Sequence, residues 1–280
     1  MGIKDKIKRN KVLSKIAFAW LNERIAKKQQ RENKEVLAKL KPFKGIHSGE
    51  RCFIIGTGPS LTIKDLETLK GEITFASNRI YEVFDKTDWR PTYYVNQDHN
   101  LIRNFGERIK TVNAKNIFLP VDYKDSFTQE NARFFVLKHK EFYPKKAPFS
   151  CDISKFLAQG FTVTYGAIQI AKYMGFKEIY LLGIDHNYNV FRDAKGNIVR
   201  EEETKSNYSS AMTEYISNNA LPRIEETTIA YETAEKISRK KDFRIFNATR
   251  GGKLSAFERV DFDLIANGGL NEKDWHNYNS

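Results

Sequence analysis

The sequence predicts an α/β fold, with a mainly parallel, Rossmann-like sheet and helices on both faces. Two observations support this prediction: short apolar segments alternate with helical segments, and a polar cluster follows most of the apolar segments. Continuously apolar strands are typical of parallel sheets, because such strands are buried on both faces. The chain has 280 residues, of which 40% are hydrophobic and 13% aromatic, so it is long enough to bury a large core.

Six strands and two helices follow from the pattern of apolar residues. The predicted strands are residues 52–55, 73–76, 92–95, 117–119, 178–182 and 243–246. The predicted helices are residues 167–174, ended by Gly175, and residues 227–241. Residues 190–224 are polar and weakly patterned, which fits either a lid over a site or a solvated excursion.

Basic charge is concentrated at the start of the chain. The formal net charge is +12, from 47 Lys and Arg against 35 Asp and Glu. Residues 1–45 hold 14 of these basic and 4 of these acidic residues, which leaves 33 and 31 for the rest. The body is therefore close to neutral, and an anionic partner is expected only for the N-terminal segment.

Residues 1–45 are predicted to be a basic amphipathic helical extension before a main domain at residues 46–280. One helical face carries Leu13, Ile16, Ala17, Trp20 and Leu21. A basic helix with such a face suits an anionic membrane surface. The alternatives are packing against its own domain or a second subunit, as in a homo-oligomer. Nucleic acid is not expected, because no recognition motif is present. Pro42 and Gly45 predict a linker.

Cysteine use and hydropathy predict a cytoplasmic protein. The two cysteines, Cys52 and Cys151, form no disulfide framework and have no metal-ligand spacing. No apolar run reaches 18 residues, and Lys15 interrupts the apolar stretch at residues 12–21. Attachment to the inner face of the plasma membrane would then depend on residues 1–45.

Polar clusters follow five of the predicted strands. Ligands of open α/β sheets bind beyond the carboxyl ends of the strands, so the five clusters together favour a binding cleft. These clusters are residues 56–60, 77–78, 96–100, 183–187 and 247–252.

The first cluster carries the clearest signal, because its glycines permit a tight turn and a close approach of the backbone to a ligand. Ser60 is a candidate helix cap, Thr62 and Asp65 predict a capping box, and a helix N-terminus here would attract phosphate. The loop is neither a P-loop nor a full dinucleotide fingerprint, since Leu61 replaces the third glycine. The alternative is a purely structural turn. The predicted nucleotide-binding residues of this loop are Gly56, Thr57, Gly58, Pro59 and Ser60.

Asn78, Asp185 and His186 are the other candidates identified from residue type. An amide such as that of Asn78 donates and accepts at once, which suits sugar or base edges. Asp185 is suited to hold a hydroxyl group, and His186 to act as a general acid or base. The alternatives are that Asn78 and Asp185 serve turns and that His186 faces solvent.

Several of these motifs together resemble a known group of enzymes. They are Gly-Thr-Gly-Pro-Ser-Leu at 56–61, Asn78, Asn96, Thr-Tyr-Gly at 164–166 and Leu-Gly-Ile-Asp at 182–185. The pattern resembles bacterial sialyltransferases of glycosyltransferase family 42. It also resembles the wider group that contains motility accessory factors and archaeal MptE-like pterin diphosphokinases. The resemblance covers roughly residues 48–262.

The resemblance to sialyltransferases implies a GT-A-like variant of the Rossmann fold and an inverting, metal-independent glycosyltransferase. Its donor would be a CMP-linked acidic sugar and its acceptor a glycan or lipid-linked glycan, in surface polysaccharide biosynthesis, with no cofactor. Carried over by position, the pocket would also include Asn96, Gln97, Asp98, Thr164, Tyr165, Gly166, Gly183 and Tyr188.

The catalytic base is the point at which the sequence departs from that group. Arg223 stands where the sialyltransferases have a catalytic histidine. His186, beside Asp185, is the first replacement that we expect. The other candidates are Glu225, Glu226 and Tyr208.

Two other functions remain open. One is an ATP- and Mg²⁺-dependent diphosphokinase, for which Asp98, Asp122 and Asp185 are candidate ligands. The other is a non-catalytic module that binds a nucleotide sugar.

Overall fold

The computed structural model describes residues 11–140, 144–188, 190–193, 195–200 and 221–266. Within them, strands are numbered in chain order. They are β1 Arg51–Ile55, β2 Thr74–Ser77, β3 Tyr93–Val95, β4 Asn116–Pro120, β5 Ala132–Phe135, β6 Leu137–Lys138, β7 Leu157–Ala158, β8 Glu178–Leu182, β9 Val190–Arg192, β10 Ile198–Arg200, β11 Arg244–Asn247 and β12 Glu258–Arg259.

The α-helices are numbered in the same way. They are α1 Lys11–Glu32, α2 Lys34–Ala38, α3 Ile63–Thr68, α4 His99–Lys110, α5 Val163–Met174, α6 Ile224–Lys240 and α7 Phe262–Ala266. Short 3₁₀ turns occupy Lys41–Phe43, Ile80–Val83 and Val121–Tyr123. The predicted α/β fold with a parallel sheet and flanking helices is confirmed.

Eight strands form one sheet in the order β12-β11-β8-β1-β2-β3-β4-β5, and all neighbouring strands are parallel. The chain builds outward from β1 to β5 and then returns to β8, on the other side of β1. This reversal makes the β1–β8 boundary the topological switch point, where ligands of open α/β sheets bind beyond the strand ends. Ile55 lies opposite Leu182 in the register, so Gly56 and Gly183 leave the sheet side by side.

Helix α5 occupies the centre of the core. It packs against β1, β2 and β3, and α6 packs against α5 and β11. Eleven of its twelve residues are buried, and Gly175 ends it in the left-handed conformation, as predicted. The helix begins at Val163, four residues before the predicted start. The β-branched pair Val163–Thr164 and Gly166 have low helix propensity, which hides this first turn from the sequence pattern.

Several elements were not predicted. They include α4, β5 and β12; the two strands mix charged and apolar residues over only four and two positions, which is too short for a period to show. The polar stretch 190–224 begins with an antiparallel pair, β9 and β10. Residues 201–220 of that stretch lie outside the described residues, so the lid alternative stays a prediction.

The segment before β1 packs onto the body. Ala26, Leu37, Leu40 and Phe43 are buried in the same core as the sheet. The predicted linker at Pro42 and Gly45 is therefore wrong: the chain makes a packed 3₁₀ turn there, and the Gly45 amide donates to the Tyr173 carbonyl. In the part of the chain that the structure describes, no helix is long and apolar enough to cross a membrane.

A buried carboxylate links α3 to the loop after β11. Asp65 and Thr62 form the predicted capping box. The Arg250 guanidinium also donates to both oxygens of Asp65, at 2.8 and 2.9 Å. Asp65 is 2% exposed, whereas Asp263, the second partner of Arg250, is 68% exposed in its side chain. One carboxylate therefore serves a helix cap and a tertiary ion pair.

We expect Asp65→Ala to lower the free energy of unfolding by about 2 kcal/mol, because the cap and the buried charged hydrogen bonds are lost together. Asp263→Ala is the matched control and should change it by less than about 0.5 kcal/mol, as an exposed ion pair does. Urea unfolding followed by circular dichroism measures both. Equal losses in the two variants would contradict this role of Asp65.

Candidate functional site

Two glycines bring the loops after β1 and β8 into contact. A Cβ atom on Gly56 would lie 2.3 Å from the Gly183 carbonyl oxygen. A Cβ atom on Gly58 would lie 1.7 Å from Oδ2 of Asp185. The Gly58 amide donates to the Gly183 carbonyl at 2.9 Å. Glycine is therefore required at position 56 by the close approach of the Gly183 backbone, and at position 58 by the Asp185 carboxylate together with that backbone.

Asp185 is held between this loop and the loop after β11. Ser60 donates from Oγ to Oδ2 of Asp185 at 2.8 Å, so Ser60 does not cap a helix; Thr62 is the cap of α3. The Lys253 amide donates to the Asp185 carbonyl at 2.7 Å. Burial raises the pKa of the Asp185 carboxyl group.

The polar cluster after β11 supports the site from behind. Asn247 donates to the Leu254 carbonyl at 2.9 Å and accepts from the Thr249 amide at 3.0 Å. Thr249 in turn accepts from the Ile184 amide at 3.1 Å. None of residues 247–252 lines the cleft described below. This cluster fixes the loop that carries Asp185.

The helix terminus that faces the site belongs to α5. Thr162 is its N-cap and accepts from the Thr164 amide at 3.3 Å. Thr162, Val163 and Thr164 line the site. The first turn of a helix carries free amide groups and the positive end of the helix dipole, which attract anions. The expectation of a phosphate-attracting helix directly after the glycine loop is corrected: α3 has only six residues and starts at Ile63.

A continuous cleft with two compartments results. The phosphate compartment, as we name the smaller one, has about 60 Å³ and lies between the glycine loop, residues 183–188 and α5. The wide compartment has about 390 Å³ and extends to the start of α4 and to Arg223. The two share Thr57, Asn78, Thr162, Val163 and Tyr188.

His186 is buried beside the phosphate compartment. Its Nε2 atom lies 2.8 Å from Oγ1 of Thr228, and that hydroxyl donates to the Ile224 carbonyl at 2.9 Å. The Thr228 proton is therefore engaged, so Nε2 of His186 carries the hydrogen. Tyr231 packs edge-on against the ring, at 5.6 Å between centroids. Burial lowers the pKa of His186 to about 4.

A hydrogen bond joins the carboxyl ends of β2 and β3. The Asn78 carbonyl accepts from the Tyr94 hydroxyl at 2.6 Å, and Asn78 has a positive φ of 54°. Asn96 is fully buried and bonds the Tyr94 hydroxyl and the Asp98 amide. Asn96 is thus a scaffold for its neighbours, whereas Asn78 lines both compartments.

Gln97 and Asp98 both line the wide compartment. Gln97 donates to the Thr162 carbonyl at 2.9 Å. Its Oε1 atom is buried and has no hydrogen-bond partner within the described ranges. Asp98 caps α4 by accepting from two backbone amides, those of Asn100 and Leu101.

Eleven of the predicted residues line the cleft. They are Gly56, Thr57, Gly58, Asn78, Gln97, Asp98, Thr164, Gly183, Asp185, His186 and Tyr188.

Other predicted residues lie outside the cleft lining. Pro59 is exposed beside it. Tyr165 is buried and donates to the Pro148 carbonyl at 2.8 Å. Gly166 lies behind Gln97, where a Cβ atom would come within 2.7 Å of Oε1. These positions shape the cleft without reaching into it.

The alternative catalytic and metal-binding candidates are scattered. Glu225 is exposed in the first turn of α6, and Glu226 is buried in an ion pair with Arg223. Asp122 accepts from Gln29 at 2.9 Å and does not line the cleft. Tyr208 lies outside the described residues. Among the residues that the structure describes, no group of three or more His, Cys, Asp or Glu is placed to hold a metal ion.

Sequence reasoning missed several lining residues. They are His99, Gln159, Phe161, Thr162, Thr227 and Tyr231. His99 was part of a predicted strand-end cluster, but its role as the first residue of α4 was not recognised. The Asp98 cap before an apolar–polar repeat was the signal available.

The fold and the cleft define a parallel α/β protein with a polar ligand site at its switch point. The family model described as "6-hydroxymethylpterin diphosphokinase MptE-like" matches residues 25–190, which is more than half of the chain. The chain therefore belongs to the MptE-like family. This confirms the resemblance to the wider group; membership of glycosyltransferase family 42 stays a prediction.

Two solved structures show distant similarity. The MAf glycosyltransferase from Magnetospirillum magneticum AMB-1 is 16% identical, with a TM-score of 0.47, over 82% of this chain. This chain spans only 38% of that protein's length. A short-chain dehydrogenase from Oenococcus oeni PSU-1 is 12% identical, with a TM-score of 0.24, over 81% of this chain and 92% of its own. No curated protein sequence matches the chain.

We expect acid to destabilise the protein through His186. With a pKa near 6.5 unfolded and about 4 folded, the unfolded chain binds the extra proton between these values. The free energy of unfolding therefore falls as the pH drops through this window, by up to about 1.4 kcal/mol per pH unit. His186→Gln retains a donor for Thr228 but does not titrate.

The free energy of unfolding of both proteins, measured in urea at pH 7.0, 6.0, 5.0 and 4.5, tests this expectation. Across that range the free energy of unfolding of the wild type should fall by about 2 kcal/mol more than that of His186→Gln. This value is smaller than the full pKa shift implies, because the site around His186 relaxes when the ring is protonated. Curves that stay parallel would show that His186 is not buried as a neutral group.

Proposed function

We propose that the protein is a glycosyltransferase that moves a sugar from a nucleotide-sugar donor to a hydroxyl group of an acceptor. The observation that carries this proposal is the continuous cleft, in which a phosphate-sized compartment opens into a wide one lined by neutral amides. A nucleotide sugar has two parts that match these compartments in order: a phosphate, and a sugar ring rich in hydroxyl groups joined to it.

The phosphate compartment has the features of an anion site. Gly56 and Gly58 let a ligand approach the backbone, and the first turn of α5 directs Thr162, Val163 and Thr164 toward it. Tyr188 borders both compartments. In the proposed reaction these groups bind the phosphate and stabilise the charge that develops as the nucleotide leaves.

The wide compartment suits a sugar. Its volume of about 390 Å³ lies within the range of small-molecule sites. Asn78, Gln97, Asn100 and Gln159 supply side-chain amides, each of which donates and accepts. Arg223 stacks on Phe161, with its guanidinium carbon 4.1 Å from the ring centre. The guanidinium also pairs with the buried Glu226, so an acidic sugar would share Arg223 with that carboxylate. We propose a CMP-linked donor of this class.

We further propose that transfer inverts the anomeric carbon without a metal ion, toward a glycan or lipid-linked glycan. The groups that we assign to the donor phosphate are neutral donors and a helix terminus, which can offset phosphate charge by themselves. Surface polysaccharide biosynthesis is the process in which such an acceptor occurs.

A second candidate function is a pterin diphosphokinase, which the description of the matching family favours. It requires ATP with Mg²⁺, and Asp98 and Asp185 are the carboxylates of the cleft lining that would approach such an ion. Consumption of ATP that EDTA abolishes would support this function over sugar transfer.

We expect a nucleotide-sugar donor to stabilise the wild-type protein in a thermal-shift screen of CMP-, UDP- and GDP-sugars. At about 100 times its dissociation constant, a donor adds about 2.7 kcal/mol to the free energy of unfolding. Gly58→Ala should remove the shift, because the added methyl group collides with Asp185. Gly106→Ala in α4 is the matched control, since its nearest neighbour would be 3.7 Å away.

Three outcomes separate the candidates. A shift with a nucleotide sugar and release of the nucleotide support the transferase. A shift without turnover across a broad acceptor panel indicates a non-catalytic binding module. No shift with any nucleotide sugar, together with Mg²⁺-dependent ATP consumption, replaces the transferase by the diphosphokinase.

We also propose that α1 attaches the protein to an anionic membrane surface. Its second half docks on the body through Glu23–Lys138 and Gln29–Asp122 contacts. Between positions 18 and 25 it exposes four large apolar side chains, and Trp20 alone is 60% exposed. The exposed residues are Phe18, Trp20, Leu21 and Ile25. The basic charge of residues 1–45 is complementary to an anionic membrane surface. Each Lys or Arg near such a surface contributes about 1 kcal/mol of binding free energy.

Co-sedimentation with vesicles tests this attachment. Binding to phosphatidylcholine vesicles that contain 30% phosphatidylglycerol should exceed binding to pure phosphatidylcholine several-fold, and 0.5 M NaCl should weaken it. Trp20→Ala should reduce the bound fraction, whereas Ile46→Ala, an exposed apolar control outside α1, should not. Equal binding to both vesicle types, or a concentration-dependent dimer blocked by Trp20→Ala, argues for a protein partner instead.

A further inference from the structure

His99 stands at the mouth of the wide compartment. It is the first residue of α4, directly after the Asp98 cap, and it is half-buried. Its Nδ1 atom lies 3.0 Å from the Tyr123 hydroxyl, and that hydroxyl donates to the carbonyl of His99 itself at 3.1 Å. The side chain and backbone of one residue are therefore both bound to Tyr123.

These two hydrogen bonds fix the tautomer of the ring. A carbonyl oxygen only accepts, so the Tyr123 proton points to it, and the Tyr123 oxygen must accept from Nδ1 of His99. The hydrogen of the neutral ring is thus on Nδ1, and Nε2 keeps its lone pair. Nε2 has no hydrogen-bond partner within the described part of the chain, and it is not fully buried. His99 presents a free basic nitrogen at a compartment with room for a ligand.

Burial and neighbouring ionisable groups act on the pKa of the His99 ring. Burial is the main cause that lowers the pKa of His99, with His139 and Arg103 acting in the same direction and Asp122 and Asp98 opposing them. His139 stacks on the ring at 6.2 Å and bonds Gln159, which also lines the compartment. A histidine that a hydrogen bond orients, and whose second ring nitrogen is open at a ligand-sized compartment, has the geometry of a general base.

His186 has a different environment. Its Nε2 hydrogen is committed to Thr228, and two tyrosine rings enclose it beside the phosphate compartment. Its Nδ1 atom keeps a lone pair, but burial lowers the pKa of the ring to about 4, so this nitrogen accepts a proton poorly near neutral pH. The donor phosphate would occupy that end, whereas the acceptor must enter from the wide end. His186 therefore lies on the donor side of the cleft and His99 on the acceptor side.

We propose that His99 is the base that activates the acceptor hydroxyl, and that Tyr123 is its positioning residue. This inference rests on the proposed glycosyltransferase function. Nε2 of His99 takes the acceptor proton as the acceptor oxygen bonds to the anomeric carbon. The bond from that carbon to the phosphate oxygen breaks, and the electron pair leaves with the nucleoside monophosphate. The proton then passes from the imidazolium to solvent.

The test compares the wild type with His99→Asn, whose amide can still donate to Tyr123 from the place of Nδ1. The probe is CMP-N-acetylneuraminate with water as acceptor, and the readout is CMP release against pH. The wild-type rate should fall on the acid side as His99 becomes protonated. His99→Asn should lose about 100-fold or more in kcat. It should also lose the acid limb of the profile and keep the donor-induced thermal shift.

His47→Asn is the matched control. His47 also bonds a tyrosine hydroxyl, that of Tyr93, at 2.7 Å. It lies at the amino ends of the strands, away from the cleft, because Tyr93 is the first residue of β3. Its backbone amide donates to the Met174 carbonyl at the end of α5. Its kcat and pH profile should match those of the wild type. Tyr123→Phe should lower kcat less than His99→Asn does, and ¹⁵N NMR should show that it weakens the Nδ1–H preference of His99.

The outcomes are distinct. A wild-type protein that releases no CMP overturns the proposed function, and the base role with it. A His99→Asn protein that keeps kcat within threefold of a wild type that does release CMP overturns the base role alone. An Nε2–H tautomer of His99 in the ¹⁵N spectrum also overturns it, whatever the activity. Should His99→Asn fail to fold, His99→Gln takes its place in the same assay.

Discussion

The contact between Gly58 and Asp185 is the constraint on which the site depends. Parallel strands β1 and β8 are hydrogen-bonded neighbours, so the loops after them must either diverge at once or tolerate backbone contact. The glycine loop does the second: Gly58 bonds the Gly183 carbonyl, and Ser60 bonds the Asp185 carboxylate. Any side chain at position 58 would separate these loops. The small volume of the phosphate compartment is a direct consequence of this contact.

The polar clusters at the strand ends divide into two kinds. Asn96 and Asn247 use their side chains to hold nearby backbone, and neither lines the cleft. Asn78 and Gln97 face the cleft, and the buried Oε1 atom of Gln97 has no partner among the described residues. The first kind resembles an internal scaffold and the second a ligand-binding surface. Residue type alone does not separate them, because an amide serves either role equally well.

Sequence alone predicted the fold and the location of the cleft. The apolar strands and the glycine loop at 56–60 are local signals, and the order of parallel strands then brings the loops after β1 and β8 together. The helix terminus at the site was assigned to α3, whereas α5 provides it. The first turn of α5 was not recognised, because Val163 and Thr164 have low helix propensity. The packed turn at Pro42 was also missed. Its stability comes from burial of Phe43 against the sheet, which no local pattern reveals.

The two histidines of the cleft show why the identity of a base cannot be derived from residue type. The sequence favoured His186 as the catalytic base, because it follows Asp185 in a polar motif after a predicted strand. In the fold, its hydrogen is bound to Thr228 and burial lowers its pKa to about 4, so it accepts a proton poorly near neutral pH. His99, which lines the wide compartment, is held by Tyr123 in the opposite tautomer, so its lone pair is on Nε2. Both contacts join residues more than twenty positions apart, so only the folded chain distinguishes a base from a buried donor.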